Sequence, residues 1–81
     1  MTDKRPSKAG AELLAIMRAH GITPRLRMIP GSTIELPSPH QAEWEAAHGG
    51  KPVPSSVMAA LERRGLVVAT ESAHCRWWTT R

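Results

Sequence analysis

Leu13, Leu14, Ile16, Met17 and His20 recur at the i, i+3, i+4, i+7 spacing that lines one face of an α-helix. Ser7 stands ahead of the run as an N-cap whose hydroxyl can accept a first-turn N–H. Gly21 offers a left-handed stop, and Pro24 prevents continuation. A first helix is therefore predicted from just after Ser7 to His20. The period then changes from helical to two. Arg25-Leu26-Arg27-Met28 and Thr33-Ile34-Glu35-Leu36 both alternate polar with apolar, and Pro30-Gly31 between them is a turn signal. This predicts a hairpin over residues 25–36 that turns Leu26, Met28, Ile34 and Leu36 to the core and leaves Arg25, Arg27, Thr33 and Glu35 outside.

Ser38-Pro39-His40-Gln41 has the form of a capping box: serine at the cap, proline at the first helical position, glutamine three residues after the cap. The helix it opens runs from Pro39 to His48 and stops at Gly49-Gly50. Its apolar content is Ala42, Trp44, Ala46 and Ala47. A third helix begins near Ser55 and ends at Arg64, with Val53 ahead of it as a hydrophobic staple. Helical spacing puts Val57, Ala60, Leu61 and Arg64 on one face and Ser55, Ser56, Ala59, Glu62 and Arg63 on the other, with Met58 at the border. Gly65 ends this helix. Leu66-Val67-Val68-Ala69 reads as a strand, Thr70 to His74 as a turn, and Cys75 to Thr80 as a returning strand that points one of Trp77 and Trp78 inward. The expected core is Leu13, Leu14, Met17, Ile34, Leu36, Val57, Leu61, Leu66, Val68 and one of those two tryptophans.

The order helix, strand region, helix, helix, strand, strand resembles that of the winged helix-turn-helix family. The residues that carry the resemblance are Val53-Pro54-Ser55-Ser56-Val57-Met58-Ala59-Ala60-Leu61-Glu62-Arg63-Arg64-Gly65-Leu66-Val67, followed by Arg76-Trp77-Trp78-Thr79-Thr80. It covers residues 50–80 by motif and residues 7–49 by element order. What it implies is a small α+β winged-helix domain of three helices with a β-hairpin wing, to which residues 25–36 add a second hairpin. It also implies a third helix that enters the major groove of DNA from its N-terminal end. On that reading Ser55 and Ser56 contact phosphate or base edges, Arg63 contacts phosphate or guanine, Lys51 meets phosphate ahead of the helix, and Arg76 reaches it from the wing.

Composition narrows the alternatives. A chain of 81 residues has room for one small core. The expected organisation is a basic tail over residues 1–6 and a single domain over 7–81. Lys and Arg outnumber Asp and Glu by 11 to 7, a net charge of +4 that suits an anionic partner. The excess lies at both ends of the chain, whereas residues 37–50 carry only Glu43 and Glu45. The second helix should then face away from phosphates. One cysteine, Cys75, cannot close an internal disulfide, and Met1-Thr2-Asp3-Lys4-Arg5-Pro6 is followed by no apolar leader. With no apolar run near the ~20 residues of a membrane span, a cytoplasmic protein is expected.

Catalysis and metal binding find little support. The four histidines and Cys75 form no Cys-x-x-Cys or His-x-x-x-His pair, so no metal ligand set is expected. His74 and Cys75 are adjacent and diverge on a strand, Asp3 is the one aspartate, and Gly49-Gly50-Lys51 lacks the spacing of a phosphate loop. No catalytic residue and no cofactor are expected, and the chain is not expected to be an enzyme. The leading expectation is a small transcriptional regulator of bacterial, plasmid or phage type that binds double-stranded DNA as a homodimer. The alternative is a phage-type protein-binding inhibitor, anti-CRISPR-like, or an adaptor on the same fold. Trp44 and Trp78 are the candidate anchors for a protein partner or a second subunit, because tryptophan is enriched at interface hot spots.

Overall fold

The computed structural model describes residues 6–81, so of the basic tail expected over residues 1–6 all but Pro6 lies outside the described residues. Three helices and a three-stranded antiparallel sheet form an α+β domain: α1 Lys8–His20, β1 Arg25–Arg27, α2 His40–Ala47, α3 Ser55–Arg63, β2 Val67–Glu71 and β3 Cys75–Thr80. The sheet order is β1-β3-β2.

α1 forms as its local signals require. Ser7 Oγ accepts the Gly10 N–H at 3.1 Å, and Gly21 ends the helix at φ +61°. α1 lies against α3 and β3, and α3 against β2. Gly10 makes the approach of α1 to α3 possible. A Cβ placed there would stand 3.3 Å from Leu61 Cδ2 and 3.2 Å from Pro6 Cβ. Leu13, Leu14 and Met17 of α1 then meet Met58 and Leu61 of α3, Trp44 of α2, Val67 and Trp78 of the sheet, and Ile34, Leu36 and Val53 from the connections.

α2 is joined to α1 by His48, which follows it. The ring stacks on Trp44 with centroids 3.9 Å apart, and its Nε2 sits 2.8 Å from Glu12 Oε2. The serine cap expected for α2 is absent. Pro39 occupies the cap position with no side-chain hydrogen bond, and Gln41 Oε1 instead accepts the Leu36 N–H at 2.8 Å, tying the helix to the preceding segment.

The hairpin expected over residues 25–36 is reduced to one rung. Arg25 and Glu35 exchange both backbone hydrogen bonds, at 2.9 and 2.7 Å, and the chain then diverges so that Ile34 bridges to Val53. β1 finds its main partner in β3, with Arg25 opposite Trp77 and Arg27 opposite Cys75. Leu26, Ile34 and Leu36 turn inward as expected, but Met28 is 49% exposed. Its N–H goes to His74 O, beyond the reach of the helices.

Three expected core positions also change. Met58, placed at the border of the α3 face, is wholly buried, and Val57 is only partly so. Val67 is buried and Val68 exposed, the reverse of the expectation. Val67 pairs with Thr80 and Ala69 with Trp78, so these four side chains share the helix-facing side and Val68, opposite Thr79, faces out. Leu66 is half-buried at the edge of the core.

Candidate nucleic-acid interface

α3 is set in place by the chain before it. Gly49 and Gly50 adopt φ +69° and +80°, conformations that a side chain would strain, and turn Lys51 to the surface. Val53 is buried and bridged to Ile34, and Pro54 then starts α3 without a side-chain cap. Ser55 and Ser56 are exposed in the first turn, where backbone N–H groups have no partner within the helix. Leu61 and Met58 fix the helix by its buried face, and Trp78 Nε1 donates to Glu62 Oε1 at 3.0 Å, tying the end of α3 to β3.

The residues nominated from the sequence fall at two places along α3. Lys51, Ser55 and Ser56 stand at its start, and Ser55 borders a groove of about 330 Å³ walled by Leu26, Ile34 and Pro54. Arg63 and Arg76 are brought together in the second half, where with Ala59 and Glu62 they line a shallow groove of about 310 Å³. Arg76 is not free there. Its Nε donates to Glu71 Oε1 at 2.8 Å, and its Nη2 contacts the same oxygen. The tryptophans nominated as partner anchors are core residues. Trp44 is 2% exposed and Trp78 4%, since the small aliphatic set leaves volume that only indoles fill. Trp77 is the half-buried member of its pair, on the outer sheet face between Arg25 and Thr70.

The charge pattern is sharper than the net charge. Among the described residues every glutamate has a side-chain partner. Glu35 holds Arg25 and Arg27, Glu71 holds Arg76, Glu12 meets His48 and Glu43 meets His40. Glu45 accepts from Gln41 and Glu62 from Trp78. Lys8, Arg18, Lys51, Arg63, Arg64 and Arg81 form no ion pair with a carboxylate among the described residues. Four of these six flank α3. Lys51 precedes it, Arg63 and Arg64 close it, and Arg81 folds back over Gly65, its Nη1 3.4 Å from where a Cβ would stand.

Arg64 and Arg81 were not singled out from the sequence. Helical spacing groups Arg64 with Val57, Ala60 and Leu61, but it follows the last residue of α3 as its C-cap and is exposed, its Nη1 donating to Ala60 O at 3.5 Å. Arg81 reaches the site through hairpin closure, its N–H donating to Leu66 O at 3.3 Å. A signal was present: a tight turn at 72–75 pairs 71 with 76 and returns residue 81 beside 66.

Among the described residues no three His, Cys, Asp or Glu side chains gather to hold an ion, and no helix is long and apolar enough to cross a membrane. No protein-family model matches the chain, and no curated protein and no solved structure matches it either.

Proposed function

We propose that this chain is a small regulator of winged-helix type that binds double-stranded DNA, with α3 in the major groove and the β2–β3 hairpin as the wing. The observation that carries the reading is the placement of cations without a carboxylate partner at both ends of α3, with Ser55, Ser56 and Ala59 exposed between them and the one carboxylate of that face, Glu62, accepting from Trp78 Nε1. Nine residues at 1.5 Å each make α3 about 13 Å long, close to the ~12 Å width of the major groove. Lys51 ahead of the helix and Arg63, Arg64 and Arg81 at its end would give both ends of α3 a cation for phosphate. Ser55, Ser56 and Ala59 between them allow the helix to approach base edges. The open first turn of α3 adds N–H donors for a phosphate. The element order, and a sheet in which the strand after α1 pairs with the last strand, support the winged-helix assignment.

On this reading Arg63 would contact guanine or phosphate, and Arg76, held by Glu71, would contribute less. The protein-inhibitor alternative has the fold present Trp44 and the acidic second helix to a partner; Trp44 and Trp78 are buried, while Glu43 of that helix is exposed. The test is fluorescence-anisotropy titration of a random-sequence duplex at several salt concentrations. Binding at low salt that weakens steeply as salt rises is the expected result. Absence of binding at low salt would overturn the proposal and direct the search to a protein partner.

A further inference from the structure

Resting on that DNA-binding reading, we propose that the segment Met28–Ser32 is a second, apolar wing tip that wedges Ile29 into the minor groove and bends the duplex. β1 runs alongside β3 toward the β2–β3 turn, and the Met28 N–H donates to His74 O at 2.8 Å, so the two tips lie side by side. Ile29 is 59% exposed and Met28 49%, the two most exposed large apolar side chains among the described residues. The core does not use them. The tip is nonetheless held in shape: Ser32 N–H bonds Ile29 O at 3.3 Å, and Gly31 takes φ +82° after Pro30. Proline then glycine at the two central positions is the pattern of a type II turn, which presents Ile29 on a fixed corner.

The tip is uncharged and so brings no carboxylate against a phosphate-lined groove. The two carboxylates nearest along the chain and hairpin, Glu35 and Glu71, are held by Arg25 with Arg27 and by Arg76. The segment's far limb, Ser32 to Ile34, borders the groove that Ser55 and Pro54 share at the start of α3. The tip therefore adjoins both the wing turn and the start of α3, the two elements that the DNA-binding reading brings to the duplex. Ile, Met and Pro are side chains that minor-groove proteins insert between base pairs, unstacking one step and kinking the axis. Pyrimidine–purine steps such as TA yield most easily to this.

The experiment uses an A·T-rich duplex of about 25 base pairs containing TA steps, with a fluorescence donor and acceptor at its two ends. Energy transfer reads the bend and anisotropy the affinity. The full chain should bend the duplex by roughly 20–90°. Ile29→Ser should lose most of that bend and on the order of tenfold in affinity, with its melting temperature and salt slope unchanged. Ile29→Leu should keep the bend. A bound but straight duplex, or an Ile29→Ser variant that bends like the parent, overturns the wedge and leaves the DNA-binding reading standing. A parent chain that binds no duplex at low salt overturns both.

Discussion

Arg63 and Arg76 look equivalent in the sequence, as exposed arginines on the helix and the strand of one motif, and the structure separates them by a single carboxylate. Glu71 neutralises Arg76, whereas Arg63 forms no ion pair among the described residues. Arg63→Ala should therefore weaken duplex binding by about 1–3 kcal/mol and flatten the salt slope by about one. Arg76→Ala should cost clearly less, because its charge is already shared with Glu71. Equal losses in parallel anisotropy titrations would show that the ion pair opens on binding. The same contrast in the core is between Met58 and Val57, neighbours on α3. Met58 is wholly buried and Val57 partly so. Met58→Ala should cost about 2–5 kcal/mol of unfolding free energy. Val57→Ala should cost about 1 kcal/mol, since less surface leaves water. Chemical denaturation of both variants checks the order. Reversed costs would restore the face inferred from helical spacing.

At the scale of elements, what the sequence made legible was whatever local chemistry decides. Ser7 and Gly21 bound α1, and Gly65 closes α3, because a cap and a positive φ are settled within a few residues. The hairpin of β2 and β3 was legible from alternation and a polar turn. Phase was not. Val67 and Val68 alternate equally well, and the pairing with Thr80, thirteen residues away, decides which one the helices cover. Residues 25–36 carry the same ambiguity, resolved when β3 competes for β1 and Val53 takes Ile34. The ion pair of Glu71 with Arg76 could have been counted out from the turn, but the capping of α2 could not, since Gln41 is drawn to Leu36 instead. Gly10 shows how such packing positions the site. It lets α1 press on Leu61 and so fixes the height at which α3 presents Ser55 to Arg63. Gly10→Val should add contacts shorter than the cleft accepts and cost about 1–3 kcal/mol. A melting temperature at or above the parent's would mean that α1 can shift away without loss.

Over the whole molecule, the net charge of +4 understates the asymmetry available to a polyanion. Among the described residues the glutamates are occupied within the domain, and four of the six cations without a carboxylate partner lie at the two ends of α3, the other two, Lys8 and Arg18, being on α1. Lys51, Arg63, Arg64 and Arg81 on phosphates would release about four counterions, giving a log–log salt slope near −3.6 and a loss of about 10² in affinity between 50 and 200 mM salt. Two copies on adjacent half-sites would double the slope to about −7 and the loss to about 10⁴. The slope thus measures the oligomeric state as well as the surface, which sedimentation of the bound complex can check independently. This matters because neither Trp44 nor Trp78 is at the surface to join two copies. A slope near −7 would require a dimer contact elsewhere, with the exposed outer face of β2 around Val68 as the first place to mutate. A slope near −3.6 would describe a monomer whose affinity rests on α3 and its flanking cations. A slope near zero with binding retained would mean that phosphates are not the partner, and would overturn the placement of α3 in the groove.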